Sequence, residues 1–101
     1  MVKFTEIYCL PKEYDAELAT VRAKYDLRET FVNPKFIIAM KENTTLHEML
    51  NRSNIIDGLN KKTRFTEISV STGGTHAHKI NVVGDPSRIV EAMTGLHGSL
   101  K

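Results

Sequence analysis

The chain has 101 residues, 41% apolar and 26% charged, with a formal charge of +2. That is enough for one domain with one modest core, and it excludes a disordered chain. A single cysteine, Cys9, excludes an intramolecular disulfide and a cysteine-rich zinc site, and no apolar stretch approaches the ~18 residues a membrane span needs. The small net charge leaves no broad electrostatic footprint for nucleic acid, so a basic patch must be local or multiplied by assembly. The opening MVKFTEIYCL lacks a signal-peptide pattern, and one cysteine fits a reducing compartment, so a cytoplasmic protein is expected.

Residues 2–9 are rich in β-branched and aromatic side chains and read as a strand, with Cys9 as a small buried hydrophobe and Pro11 as the stop. Tyr14, Leu18, Val21 and Tyr25 then recur on one helical face, which predicts a helix over 13–25. Residues 27–32 alternate as a strand. Asn33-Pro34 is a turn signal, because proline lacks the ladder donor and restricts the residue before it. Residues 35–41 read as a further strand, so the two are expected as antiparallel neighbours or as one bent strand. Thr45 and Glu48 have capping-box spacing for a short helix over 46–52 within an insertion spanning 43–63. Ile55 and Ile56 need cover there, and Asp57-Gly58 is a turn.

Two strands, Phe65 to Ser71 and His76 to Val83, flank Gly73-Gly74. A two-residue turn would set Ile68 opposite Lys79 and mix the faces. A loop with an odd residue count sets Ile68 opposite Ile80 and Thr66 opposite Val82, and burial selects it. Ile68, Val70, Ile80 and Val82 then share the core face. Asp85 is an N-cap and Pro86 fits the first helical position, which predicts a helix over 86–96 with Ile89, Val90, Met93 and Leu96 as its stripe.

The chemistry-bearing residues are few. His76 and His78 lie two apart on a strand and share a face, so they are candidate metal ligands. Zinc needs a third ligand and usually a fourth. His47, His97, Asp85 and Cys9 are available, but no spacing links them, and two partly exposed hairpin histidines is the simpler reading. No nucleophile has an orienting carboxylate nearby in sequence, no carboxylates stand paired, and Gly73-Gly74 joins two strands rather than opening a phosphate loop. A non-enzymatic protein without a cofactor is expected. Lys61, Lys62 and Arg64 form a basic cluster able to meet phosphate, or an ordinary solvated loop. Of the strand aromatics Tyr8, Phe31, Phe36 and Phe65, most are expected in the core, with room for one exposed ring to stack on a base.

Five short strands, the turn in FVNP, the glycine hairpin and INVVGDPSRIV together resemble a small Sm-like barrel, of the Lsm and Hfq type. Val82-Val83-Gly84-Asp85 fits the second Sm signature, although no arginine precedes Gly84 and the first signature is not met cleanly before Asn33. The layout is also similar to small flagellar-regulator proteins and, more specifically, to Sm-like proteins of marine cyanophages, which would place it in a host cytoplasm. The resemblance covers residues 28–42 and 64–94. It implies a mainly β (α+β) single domain over 1–101, a five-stranded antiparallel Sm-like or SH3-like barrel with added helices. Such barrels pair their free edges between subunits, so a cyclic homo-oligomer, pentamer to heptamer, is implied. The implied function is binding of single-stranded RNA, as a regulator or RNA chaperone. Asn33 would read a base and Lys35 a phosphate. Gly84 would allow close approach, Asp85 would hold its loop or cap the helix, and Lys61, Lys62 and Arg64 would add charge. The alternative is a protein-binding adaptor on the same barrel, with Leu46, Met49, Ile55 and Ile56 as its contact surface.

Overall fold

Val2, Phe4 and Glu6 alternate with Lys3, Thr5 and Ile7 along β1 (Val2–Cys9), so each face of this strand receives its own apolar set. The computed structural model describes residues 1–10, 13–15, 20–22, 24–53, 55–56 and 58–96. β1 pairs antiparallel with β4 (Tyr25–Val32), from Val2 opposite Val32 to Cys9 opposite Tyr25. Between them β2 (Glu13–Asp15) pairs antiparallel with β3 (Thr20–Arg22).

The helix expected over 13–25 is therefore not formed. Tyr14 sits opposite Val21 in a two-stranded pairing, and Tyr25 already belongs to β4. The register of β2 on β3 differs by one residue from that of β1 on β4, and the two strands form a separate two-stranded sheet. The physical reason lies in the residues. A seven-residue spacing of Tyr14 and Val21 fits a helix face, but Thr20 and Val21 are β-branched, a residue class that favours strands.

After β4 a short 3-10 turn, Pro34–Phe36, leads into β5 (Ile37–Glu42), and the Asn33 side chain caps it by accepting from the Lys35 N–H. β4 and β5 are not neighbours. Five strands form one open antiparallel sheet in the order β4-β1-β7-β6-β5, so these two are its opposite edges although only four residues separate them in sequence. A β-bulge at Ile38 interrupts the pairing of β5 with β6 (Phe65–Ser71). β6 pairs with β7 (Ala77–Val83) in the register that burial selects, Ile68 opposite Ile80 and Thr66 opposite Val82. Gly73 in the connecting loop has φ of 85°, which a glycine adopts without strain.

One face of the sheet buries Val2, Phe4, Val32, Ile68, Ile80 and Val82 under Ile89 of α2 (Pro86–Leu96), with Met93 beside them. Ile37 and Met40 of one edge strand and Val32 of the other meet in this cluster, so the sheet curls around that face. The other face buries Ile7 and Phe65 beneath Leu46 and Leu50 of α1 (Thr44–Arg52) and Ile55 of the segment after it. The cap of α1 is Asn43, whose Oδ1 accepts from the Leu46 N–H at 3.1 Å, rather than Thr45.

The proposed contact surface of 43–63 is core: Leu46 and Ile55 are buried, and Met49 and Ile56 pack against the same cluster. Cys9 is exposed rather than buried, because it lies on β1 beyond the cover of α1. Among the aromatics, Phe65 is fully buried, whereas Phe31 and Phe36 are exposed. No helix among the described residues is long and apolar enough to cross a membrane.

Candidate nucleic-acid interface

Four of the seven residues singled out for RNA come together. The loop entering β6 carries Lys62 and Arg64, the end of β7 carries Gly84 and Asp85, and the two flank a cleft of about 400 Å³. Arg88, in the first turn of α2, completes the rim with Asn60 and Thr63.

The loop is held by its own backbone chemistry. Asn60 Oδ1 accepts from the Lys62 N–H at 2.8 Å, and its carbonyl accepts from the Thr63 N–H at 2.9 Å. This Asx turn leaves the Lys61 and Lys62 side chains in solvent. His47 and Asn51 of α1 tie the loop down: His47 Nδ1 lies 2.9 Å from the Thr63 carbonyl, and Asn51 Nδ2 donates to the Lys61 carbonyl at 3.2 Å.

The opposite wall is equally fixed. Gly84 has φ of 117° and its N–H donates to the Arg64 carbonyl at 2.8 Å. Asp85 is the helix cap, its Oδ1 accepting from the Arg88 N–H at 2.9 Å. Arg64 shares its charge with Glu42 at 3.2 Å, whereas Lys61, Lys62 and Arg88 make no ion pair among the described residues. Lys62 and Arg88, without an ion pair among the described residues, flank the N-terminus of α2 together with Arg64, which gives this cleft more cations than the one carboxylate of Asp85 in its lining.

Asn33 and Lys35 do not join this cleft. The cleft lies where Phe65 faces Val83, and Asn33 shares a second concavity with Val70 and His78, which face each other five positions further along the same hairpin. At roughly 3.3 Å per residue that is about 16 Å away. Asn33 is also engaged as a turn cap, its Oδ1 3.0 Å from the Lys35 N–H.

The second concavity, of about 500 Å³, is lined by Arg28, Thr30, Asn33 and His78 together with apolar side chains that include Phe31 and Phe36. Glu6 and Arg28, opposite each other on β1 and β4, form a paired fork at its wall, Nε to Oε1 at 3.0 Å and Nη2 to Oε2 at 3.3 Å. Its hydrogen bond to the Glu6 carboxylate holds the Arg28 guanidinium still more firmly protonated than usual. His76 and His78 are exposed, and no three His, Cys, Asp or Glu side chains converge among the described residues.

Sequence reasoning missed Arg88, Asn60 and the Glu6–Arg28 fork. The spacing from the Asp85 cap to Arg88 places that side chain in the first helical turn and was readable. The fork joins residues 22 apart and becomes visible only through the pairing of β1 with β4. Comparison with protein-family models, with curated proteins and with solved structures finds no match for this chain.

Proposed function

We propose that this protein is a non-enzymatic, Sm-like binding module for single-stranded RNA that works as a cyclic homo-oligomer. The observation that carries the reading is the cleft in which Lys62, Arg64 and Arg88 surround Gly84 at the N-terminus of α2. Cationic side chains on fixed backbone, next to oriented N–H groups, are what a phosphate chain requires. One such cleft is weak. Several copies around a ring would act at high effective concentration, which is how a chain of charge +2 gains affinity. Supporting the assembly, β4 and β5 leave two free edges, and pairing the edge of one copy with the other edge of the next is heterologous and can close into a ring.

The test is a titration of labelled single-stranded RNA followed by anisotropy, at low and at physiological salt. Saturable binding that weakens with salt, and weakens further in Lys62→Ala and Arg88→Ala, is the expected result.

A second reading is favoured by a separate observation. Met1, Phe31, Phe36 and Ile38 are 78%, 59%, 53% and 63% exposed, and all lie at the free edges or beside them. A protein-binding adaptor would use that apolar surface. A folded protein that binds no RNA even at low salt moves the assignment there.

A further inference from the structure

We propose that the concavity at Arg28 is a base-reading site for guanine. The inference rests on the reading that RNA is the partner, but it concerns a different part of the molecule from the phosphate cleft.

The argument begins with the geometry of the guanidinium. Arginine presents two bidentate edges, one through Nε and Nη2 and one through Nη1 and Nη2. In Arg28 the first edge is taken by Glu6, whose side chain is 10% exposed against 56% for Arg28. The guanidinium carbon also lies 4.2 Å from the Tyr8 ring centroid. A nearly buried carboxylate and an aromatic face thus fix the plane of this arginine before any ligand arrives. The second edge, Nη1 with the remaining Nη2 hydrogen, makes no hydrogen bond among the described residues, and Arg28 is one of the residues that line the concavity.

The ligand follows from charge and shape. Glu6 already neutralises Arg28, so a second carboxylate or phosphate would meet an anion in the wall. A neutral, planar group with two adjacent acceptors fits the free edge without that conflict. Guanine presents O6 and N7 in this arrangement, whereas adenine offers one acceptor and one donor there. Phe36 lines the same concavity and is 53% exposed, which supplies a face for a base to stack on. A volume of about 500 Å³ accommodates a purine and lies within the range of small-molecule sites. Cytosine, with O2 and N3, is the nearest competitor but offers a smaller stacking face.

The experiment compares an oligouridine with the same strand carrying one central guanine, by anisotropy at physiological salt. Guanine should tighten binding about tenfold, as one bidentate arginine pair does. Inosine, which keeps O6 and N7, should retain the gain, and 7-deazaguanine, which lacks N7, should lose most of it. Arg28→Lys should abolish the preference while leaving oligouridine affinity, which depends on Lys62 and Arg88, unchanged. Phe36→Ala, an exposed position outside both cores, should also reduce it, and this variant keeps the test open if Arg28→Lys fails to fold. Equal affinity for all four bases, a preference for cytosine, or full retention with 7-deazaguanine overturns the inference. If oligouridine itself does not bind, the RNA reading fails separately. Guanosine monophosphate followed by NMR then decides the site: amide shifts at Arg28, Phe31 and Phe36 support it, and their absence overturns it.

Discussion

The Thr66 hydroxyl donates to the Gly84 carbonyl at 2.7 Å, closing β6 onto the residue that launches α2. Thr66 is fully buried, whereas Gly84 is partly exposed and lines the cleft. Thr66→Val keeps the shape and removes the donor. It should destabilise the fold by about 0.5–1.5 kcal/mol, the net worth of one intramolecular hydrogen bond. Urea unfolding with an unchanged slope checks this, and an unchanged midpoint would refute it.

The cleft should announce itself in salt dependence. For a single strand each phosphate contact adds about 0.7 to the slope of log affinity against log salt. Lys62→Ala and Arg88→Ala should each flatten the slope by about that amount. Lys35→Ala should leave it unchanged, because Lys35 does not line the cleft. A slope that responds to Lys35 and ignores Arg88 would reverse the assignment.

Arg28 is the counter-charge of a carboxylate on the core-facing side of β1. Arg28→Ala should destabilise the fold, but by less than the loss of a fully buried pair, because more than half of the arginine side chain is exposed. Replacing both partners, Glu6→Leu with Arg28→Leu, should recover much of the loss. A double-mutant cycle in thermal unfolding measures the coupling, and strict additivity would show that there is none.

Much of this architecture was legible in the sequence, for identifiable reasons. The register of β6 on β7 follows from alternation alone, since a slip by one residue would send Ile68 and Ile80 to opposite faces. Helix α2 follows from Asp85-Pro86. The stretch 13–25 misleads because Tyr14 and Val21 are neighbours both on a helix face and across a hairpin, and spacing cannot separate the two. The separation of β4 from β5 is invisible for a different cause. The Asn33-Pro34 turn dictates a change of direction, but which strands pair is decided by burial across the whole sheet. Half of the cleft lining was readable as Lys62, Arg64, Gly84 and Asp85, and its separation from Asn33 was not.

Tyr25 offers a pH signature. Burial raises its phenol above the ordinary value, and the charge of Cys9 and a hydrogen bond with it add to the effect. Folded Tyr25 keeps its proton where the unfolded phenol, at about 10, has lost it. This contribution to stability is therefore complete below about pH 10 and declines as pH rises beyond it. Tyrosinate absorbance should show Tyr25 titrating late, and Cys9→Ala should bring it only part of the way back, since burial is the larger cause.

If the free edges mediate assembly, Ile38→Lys on β5 should weaken it, because a lysine on an edge strand opposes pairing. Sedimentation should then show the assembled species giving way to monomer, with circular dichroism unchanged. A wild-type protein that is monomeric at every concentration would remove the ring from the proposal.

The seam between β1 and β7 has a kinetic consequence. The pairing of β1 with β4 spans at most 30 residues (Val2 to Val32) and that of β5 with β6 at most 33 (Ile37 to Val70), whereas the two halves join through Glu6 opposite Val82 and Ile7 opposite Asn81. Closing that seam brings together positions about 75 residues apart, and the loop entropy must be spent before the two cores consolidate. The transition state for folding should therefore be the docking of two preformed halves. Mutations at Ile7 and Val82 should slow folding, whereas those at the β2–β3 tip should change only the rate of unfolding.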